Sequence, residues 1–408
     1  MEEQRKILIV GAGFGGIAAA LTLEKACLKN TKIILVNNKN HFEYNPALYR
    51  IVGGRSPIGA CVPIDQILGK KKIEFVNDKI IDIDAGQYKV VGENGAYYYN
   101  DLILALGSQA NYYGIPGLEE FSFGLKSAND ALKLNKHLHK IAEECRLAKD
   151  TKKKACLARI IIIGAGPTGV ELSGELAFYA RRLAKVHHVP VELISIKLVD
   201  AAPRILQNFP EKVSSRASRR LRRLGVEIMV NEPIVKEETH KLKMPGKTIL
   251  SETIIWTAGV KANSLYNKLK GAQIGKGGRV MIDKFLRAKG YDNVFIVGDG
   301  ALTRYSGMAQ TAIYDGRAAA HIIAAKINDK KMPPYAAHKP YYSLPIGRNW
   351  AITIMGKIII SGWPGLLLRR LADLRYFLSI LPMGKAFTVF RSGKILCETC
   401  EICSNKNL

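Results

Sequence analysis

The chain has 408 residues, 48% of them hydrophobic and 24% charged, so we expect a globular protein of two or three domains that each bury a core. Its 61 lysines and arginines outnumber 35 acidic residues, and the net charge of +26 favours an anionic partner such as a lipid surface, a nucleic acid or an acidic protein. No nucleic-acid-binding motif accompanies this charge, no apolar run reaches the ~18 residues of a membrane-spanning helix, and seven scattered cysteines are not the pattern of a disulfide framework.

A glycine-rich turn lies close to the N-terminus. Residues 6–10 predict a buried strand, and the helix after the turn is predicted to run to Leu23. The turn consists of Gly11, Ala12, Gly13, Phe14, Gly15 and Gly16. A strand, a GxGxxG turn and a helix in succession are typical of a dinucleotide-binding fold. Because the strand begins at residue 6, we expect no signal peptide before it.

The next strand, residues 32–36, ends where such folds usually place an acid that binds a ribose. Asn37 and Asn38 stand there instead, and an amide can bond a hydroxyl only without charge assistance. The aromatic loop 41–54 follows this strand and is expected near a bound cofactor, or else is a packed surface loop. A further buried strand, 101–106, ends at Gly107, another candidate for cofactor contact.

A helix is predicted from Ser127 to Ala148, because Ser127 with Asp130 three residues later is a weaker form of the capping box. The lysine-rich segment 149–154 is expected to be a solvated loop.

A second glycine-rich turn follows a run of four isoleucines, residues 160–163, which predicts a buried parallel strand. The turn consists of Gly164, Ala165, Gly166, Pro167, Thr168 and Gly169, and a long helix follows. In this pattern the first glycine allows the turn, the second lets the backbone approach a pyrophosphate, and the third lets helix and strand pack closely. Two such folds in one chain suggest two dinucleotides, a flavin and a nicotinamide.

Asp200 ends the strand predicted over 191–199. A carboxylate there accepts hydrogen bonds from ribose hydroxyls and repels a 2′-phosphate, which favours NADH over NADPH. Arg204 lies near enough in sequence to favour NADPH instead, and Asp200 could also be a simple loop or capping acid.

The remaining strands and helices continue the same pattern. The arginine-rich run 216–223 is predicted to be one helix with a solvated basic face. A strand over 253–256 leads to Ala258 and Gly259, which are candidates for cofactor contact. Strands are also predicted over 280–282 and 293–297, the latter followed by Asp299, and a helix over 309–325.

The tail contains a predicted amphipathic helix, residues 364–381. Its apolar face consists of Leu367, Leu371, Leu374, Leu378 and Leu381, widened by Leu366 and Phe377. This face suits a helix lying in a membrane interface, and the alternative is a dimer or core helix. Beyond it, Cys397, Cys400 and Cys403 could bind a metal with one borrowed ligand, carry a lipid, or be plain thiols.

Taken together, these motifs resemble the two-dinucleotide flavoproteins, and most closely the type II NADH:quinone oxidoreductases. The match is carried by GAGFGG at 11–16, GAGPTGVELSGEL at 164–176, TIIWTAGV at 253–260, VFIVGDGA at 294–301 and MAQTAI at 308–313. The resemblance implies an α/β fold of two Rossmann-like domains, glutathione-reductase-like, with the second inserted in the first. The predicted bounds are 1–115 with 285–330 for an FAD domain, 116–284 for an NADH domain and 331–408 for a membrane-anchoring region.

The resemblance also implies roles for individual residues. Asp299 would bond the FAD ribitol, and NADH would lie over the turn 164–169. Gln310 would contact the quinone head group, and Glu171 would orient the nicotinamide or relay protons with a raised pKa if partly buried. Glu171 could instead be a first-turn acid favoured by the helix dipole. No metal is required. The implied partners are a membrane quinone, an anionic lipid surface and a second copy of the chain.

The implied activity is transfer of hydride from NADH to FAD and then of two electrons to quinone without ion pumping, by a respiratory-chain enzyme peripheral to the cytoplasmic face of the cell membrane. One rival is a sulfide:quinone oxidoreductase, which needs two redox cysteines, whereas Cys61 has no obvious partner. Another is a flavin-binding NADH sensor without quinone turnover.

Overall fold

The computed structural model describes residues 4–393, which form two compact units built from separate stretches of sequence. Unit 1 contains residues 4–42, 62–109 and 260–340, and unit 2 contains 43–61, 110–259 and 341–393. The helices are α1 (Phe14–Lys25), α2 (Leu48–Val52), α3 (Ile64–Leu68), α4 (Leu118–Phe121), α5 (Ala128–Leu147), α6 (Thr151–Leu157), α7 (Pro167–Val186), α8 (Glu211–Arg223), α9 (Ala309–Ile327), α10 (Trp363–Ile380) and α11 (Met383–Ser392).

The strands are shorter than the helices and belong to several sheets. They are β1 (Arg5–Val10), β2 (Thr31–Asn37), β3 (His41–Glu43), β4 (Cys61–Pro63), β5 (Ile73–Asn77), β6 (Ile80–Asp84), β7 (Lys89–Gly92), β8 (Ala96–Tyr98), β9 (Asp101–Leu104), β10 (Ser108–Ala110), β11 (Arg159–Ile163), β12 (Ser195–Val199), β13 (Val226–Met229), β14 (Lys236–Glu238), β15 (Lys241–Met244), β16 (Lys247–Leu250), β17 (Thr253–Trp256), β18 (Val260–Ala262), β19 (Val294–Ile296), β20 (Tyr342–Pro345), β21 (Ala351–Met355) and β22 (Ile358–Gly362).

Each unit is organised around a parallel sheet. In unit 1 the strand order is β19-β9-β1-β2-β5, and in unit 2 it is β13-β12-β11-β17. The strand that precedes each glycine turn, β1 or β11, lies inside its sheet. Its apolar side chains are buried on both faces, as is usual in parallel sheets. The predicted α/β fold with Rossmann-like sheets is therefore confirmed.

The capping box of α5 is confirmed, because Ser127 and Asp130 exchange both hydrogen bonds. The loop predicted over 149–154 is wrong. Asp150 accepts from the N–H groups of Lys152 and Lys153 and caps a helix, α6, that the lysine run had concealed. The strand predicted over 191–199 is shorter than expected, because residues 191–193 form a 3-10 turn, and 280–282 forms only isolated bridges.

The arginine-rich helix α8 does not present a wholly solvated face. The guanidinium of Arg216 donates to the Ile359 carbonyl and the Ser361 hydroxyl. Arg220 donates to the carbonyl groups of Ile346 and Arg348. Two of these arginines therefore hold the antiparallel sheet β20-β21-β22 against α8 within unit 2.

These contacts explain why the units differ from the predicted domain bounds. The tail from residue 341 packs with unit 2 through α8 and is not a separate body. Residues 260–284 pack with unit 1, since Ala262, Tyr266, Leu269 and Val280 belong to its core.

Helix α10 turns two of its charged side chains inward and two of its leucines outward, while Arg375 and Ser379 are exposed. Arg369 and Asp373 are buried, whereas Leu367 and Leu371 are 47% and 52% exposed. Phe377 and Leu381, which the helical wheel placed on the same apolar face, are buried. In the part of the chain that the structure describes, no helix is both long and apolar enough to cross a membrane.

Candidate functional site

The two glycine turns have the same geometry. Gly11 and Gly164 have φ of +101° and +104°, and a Cβ on either would strike the backbone of Ala105 or Ala258. A Cβ on Gly16 or Gly169 would strike the carbonyl oxygen of the first glycine of its own turn. Both positions therefore require glycine for the turn itself and for the approach of helix to strand.

The middle glycine of each turn is explained by the open space beside it. Gly13 and Gly166 are the N-caps of α1 and α7, and a Cβ on either would meet no protein atom within 4 Å. The space beside each helix N-terminus is open where the pyrophosphate of a dinucleotide binds in such folds. The residues present therefore fit a dinucleotide in each unit.

The side chains at the ends of β2 and β12 make the same contact. Asn37 Oδ1 accepts from the Ala12 N–H at 2.9 Å, and Asp200 Oδ2 accepts from the Ala165 N–H at 2.5 Å. Each holds the second residue of its glycine turn, so an amide replaces the carboxylate in this role in unit 1. Asn38 is exposed and makes no part of this contact.

A crevice with a volume of about 380 Å³ opens above the carboxyl ends of the unit 2 strands. Its wall includes Gly164, Gly166, Pro167, Asp200 and Ala258 from the predicted set. Thr168 is exposed at the start of α7, and Gly259 packs against Asn111 and Tyr113. The topological switch of an open parallel sheet is the usual place for a ligand, so the crevice is the candidate nicotinamide-dinucleotide site.

Arg204 lies at the rim of this crevice, but its guanidinium is engaged. It donates to the carbonyl oxygens of Leu206, Gln207 and Phe209 at 2.7 to 3.2 Å. Since these bonds hold its donors against the backbone, they oppose the sequence argument that Arg204 would bind a 2′-phosphate.

In unit 1 the predicted residues Gly107 and Asp299 belong to adjoining loops. Ser108, which follows Gly107, donates to Asp299 Oδ2 at 2.7 Å. The buried hydroxyl of Tyr266 accepts from the Leu106 N–H at 3.2 Å, and its ring fills the space where a Cβ of Gly300 would lie. Ser108 and Tyr266 were not predicted, because nothing in the sequence indicates which side chains meet these loops.

Phe14, Gly15 and Gln310 complete the predicted unit 1 set. The Phe14 ring lies edge-on to Phe42 with centroids 5.0 Å apart, and Gly15 lets α1 approach the Ala312 carbonyl. Gln310 is the second residue of α9 and is half-buried. One turn later, buried Asp315 accepts from the Gly298 N–H, and burial raises the pKa of its carboxyl to about 6.

Glu171 lies in the first turn of α7 and is half-buried. Burial raises the pKa of its carboxyl to about 7, opposed by the positive charges of Arg369 and Arg50. The side chain can therefore hold or release a proton near neutral pH, as a proton relay requires. The raised pKa expected from sequence is confirmed, whereas the role stays a prediction.

The cations that act on Glu171 belong to a buried network that sequence reasoning missed. Asp373 accepts from the Tyr44 hydroxyl at 2.6 Å and from Arg50 at 3.0 Å, and its carboxylate lies 3.0 Å from Arg369 Nε. Arg369 also donates to the carbonyls of Ser343 and Pro46. The available signal was the i, i+4 spacing of Arg369 and Asp373, which lets an arginine and an aspartate pair on one side of a helix.

The aromatic segment after β2 is not a surface loop. It contains the short helix α2, whose residues Leu48, Tyr49, Ile51 and Val52 are buried. Its Arg50 supplies the contact with Asp373 within unit 2. Cys397, Cys400 and Cys403 lie outside the described residues.

The chain is similar in sequence to known proteins over most of its length. The sequence pattern of a family described as pyridine nucleotide-disulphide oxidoreductase matches residues 5–316. A type II NADH:quinone oxidoreductase of Mycobacterium tuberculosis is 30% identical over 396 residues, covering 92% of this chain and 85% of the relative. The type II NADH:quinone oxidoreductase of Staphylococcus haemolyticus is 26% identical over 96% of this chain and 99% of its own.

Solved structures share the fold at low sequence identity. NDH2 of Plasmodium falciparum in complex with NADH has a TM-score of 0.83 at 18% identity, covering 97% of this chain and 99% of its own. The sulfide:quinone oxidoreductase of Aquifex aeolicus has a TM-score of 0.75 at 19% identity, covering 95% and 92%.

Proposed function

The chain belongs to the pyridine nucleotide-disulphide oxidoreductase family and, within it, to the type II NADH:quinone oxidoreductases, and from this premise we propose that it oxidises NADH and reduces a membrane quinone through bound FAD. The observation that carries the proposal is the pair of glycine turns with the same geometry and an open space beside Gly13 and Gly166. FAD, when bound, accepts the hydride and passes on two electrons. The protein contributes binding, orientation and control of protons.

For FAD we assign the turn of unit 1. Gly13 and the N-terminus of α1 suit its pyrophosphate, and Asn37 and Asn38 are the candidates for its ribose. Asp299 is held by Ser108 and keeps lone pairs to accept bonds from the ribitol hydroxyls. The loop that contains Gly107 lies beside the loop of Asp299, to which Ser108 donates.

For NADH we assign the crevice of unit 2. Its pyrophosphate would lie at Gly166 and the N-terminus of α7, and Asp200 would accept hydrogen bonds from the ribose. Asp200 and Glu232 give this wall two carboxylates, and Arg204 is occupied by backbone carbonyls. A 2′-phosphate would be repelled, so we propose a preference for NADH over NADPH.

Two residues are assigned to the chemistry. Glu171 orients the nicotinamide or relays a proton, in keeping with its pKa of about 7. Gln310 contacts the quinone head group, since an amide can donate to a quinone carbonyl and accept from a quinol hydroxyl.

We further propose that α10 lies on a membrane surface. Its exposed face consists of Trp363, Leu367, Leu371 and Leu378, and exposed Met383 and Phe387 of α11 follow. An apolar face on a chain of net charge +26 suits anionic lipid, and it brings the enzyme to a lipid-soluble substrate. The same tail is our candidate for a homodimer contact, and the cytoplasmic face of the cell membrane is the proposed location.

The membrane proposal is tested with liposomes that contain anionic lipid. The double variant L367Q/L371Q should lose most of its liposome binding, because two apolar contacts are replaced by amides. L147Q is the matched control, since Leu147 is a similarly exposed leucine on α5. Equal binding by both variants would contradict the proposal.

The activity itself is tested with purified protein loaded with FAD. NADH, NADPH and sulfide are compared as donors to a soluble quinone. We expect NADH to be oxidised with strong acceleration by quinone. Turnover with sulfide alone would favour the sulfide:quinone rival. NADH oxidation that quinone does not accelerate would favour the sensor.

A further inference from the structure

A row of hydrogen-bonded side chains leads from the surface of unit 2 to a buried phenol. Tyr179 on α7 is fully buried, and its hydroxyl lies 2.8 Å from both His139 Nε2 and Asn135 Nδ2. His139 Nδ1 lies 2.8 Å from His187 Nε2, and His187 Nδ1 lies 3.4 Å from Glu143 Oε2. The Glu143 side chain is 44% exposed, so the row begins in water.

The inner end of the row points along α7 toward Glu171. Glu171, Glu175 and Tyr179 are four residues apart and therefore share one face of the helix. Glu175 is 5% exposed, and its Oε1 lies 3.8 Å from Arg55 Nε. The Asn135 amide that donates to Tyr179 also donates to the Val52 carbonyl. The next residue, Gly53, lies against Glu175, since a Cβ on Gly53 would be 2.7 Å from Glu175 Oε1.

Each main member of the row can both accept and give a proton. An imidazole accepts at one nitrogen while it donates at the other, and phenol and carboxyl groups exchange a single proton. Because Asn135 donates to the Tyr179 oxygen, the phenol can donate to His139, His139 to His187, and His187 to Glu143. When one proton passes inward, each hydrogen moves one step toward Tyr179. The bonds then point outward, in the orientation just described, and each imidazole has changed its tautomer.

The proposed reaction needs such a proton. NADH gives up a hydride, which carries two electrons and one proton, whereas the quinol gains two electrons and two protons. One further proton per turnover must therefore come from water. This inference rests on the proposed function.

We propose that Glu143, His187, His139 and Tyr179 form a proton-uptake path that supplies Glu171 by way of Glu175. The charged groups facing this path are Arg146 beside Glu143, Arg55, Arg348 and Arg50 around Glu175, and Arg369, Arg50 and Asp373 around Glu171. Hydrogen bonds from Arg146 and His187 lower the pKa of Glu143 to about 2, so the carboxylate at the entrance is ionised near neutral pH and accepts from His187. Burial raises the pKa of Glu175, which favours its taking up a proton.

The first test separates the two half-reactions by stopped flow. Y179F removes the hydroxyl, and H139Q keeps hydrogen bonding but does not pass a proton. Both should leave reduction of FAD by NADH unchanged and slow its reoxidation by quinone about tenfold or more, with a larger solvent isotope effect. H137Q is the matched control, because His137 is a half-buried histidine on the same helix that bonds Glu252 and Thr253 instead.

The second test needs no substrate. If the path carries protons through Glu175, the infrared spectrum has a carbonyl band that E175Q removes, and on rapid mixing with D2O this band shifts as the carboxyl deuterates. We expect this shift to be slower by about tenfold or more in Y179F and H139Q than in H137Q. Thermal unfolding of each variant checks that the fold is retained.

Several results would overturn the path. Reoxidation and deuteration at unchanged rates in Y179F, or slowing of both half-reactions alike, would indicate a structural network. The lack of any carboxyl band that E175Q removes between about pH 5 and 8 would exclude Glu175 as a carrier. If the unsubstituted protein fails to reduce quinone but its Glu175 still deuterates through Tyr179, the proposed function fails and the path stands.

Discussion

Replacing Asp373 with asparagine tests whether the buried network holds α10 in place. The variant D373N keeps the shape of the side chain and an oxygen that can accept from Tyr44, but it removes the negative charge that Arg50 and Arg369 contact at 3.0 Å. Asp373 is 2% exposed, so water cannot replace the lost charge. Breaking a buried ion pair by removing one partner costs about 3–5 kcal/mol.

The measurement is the free energy of unfolding, followed by urea denaturation and by the melting temperature. A change of this size lowers the melting temperature of a domain of 150–250 residues by roughly 6–20 °C. D292N is the matched control, because Asp292 makes the same kind of contact with Arg287 at 2.9 Å but its side chain is 94% exposed. An exposed pair contributes about 0–1 kcal/mol, so D292N should be almost neutral.

The pH dependence gives an internal check. The charges of Arg369 and Arg50 hold the pKa of Asp373 below its ordinary value of 3.8, despite the opposing effect of burial. A depressed pKa stabilises the fold above about pH 4, and this contribution is lost as the pH falls through the folded-state pKa. The difference between the unsubstituted protein and D373N should therefore be constant near neutral pH and shrink in acid. A D373N that is no less stable than D292N at pH 7 would refute this account of α10.

Three further outcomes follow from the same structure. G166A should keep the melting temperature of the parent but raise the KM for NADH about tenfold or more. G169A should lower the melting temperature, because its Cβ meets the backbone of Gly164 whereas a Cβ at residue 166 meets no protein atom. Equal effects of the two variants would contradict the roles assigned to the two glycines. E171Q should abolish the change in turnover that the parent shows as the pH passes through about 7, measured from pH–rate profiles, and a parent profile without that inflection would argue against Glu171. Burial raises the pKa of Glu237 from its ordinary value of 4.5 to about 8. The parent should therefore lose stability as the pH rises from about 4.5 to about 8, and E237Q should not. Identical unfolding curves of the parent at both ends of this pH range would disprove the prediction.

Sequence alone was sufficient for the two dinucleotide-binding turns. Gly11 and Gly164 are required by local backbone conformation, and the apolar runs beside them form strands in any parallel sheet. These are short-range constraints, so they can be read without knowing what lies nearby. The same is true of the Ser127 cap, which depends on residues three positions apart.

Sequence failed where a long-range partner decides the outcome. The sequence pattern predicted α10 and its exposed leucines, but it did not reveal that Arg369 and Asp373 face inward. Their partners Tyr44 and Arg50 lie more than 300 residues earlier in the chain. The arginines of α8 were predicted to be solvated for the same reason, since the carbonyls they bind belong to the C-terminal sheet.

The amino-acid sequence by itself determined the family, the two dinucleotide folds and the identity of Glu171 as a candidate, since each rests on residues adjacent in the chain. Only the tertiary structure decided the proton affinity of that glutamate, the inward charges of α10 and the row from Glu143 to Tyr179. A carboxyl group's pKa and a hydrogen-bonded path depend on burial and on charges brought from distant segments, and no local pattern encodes these.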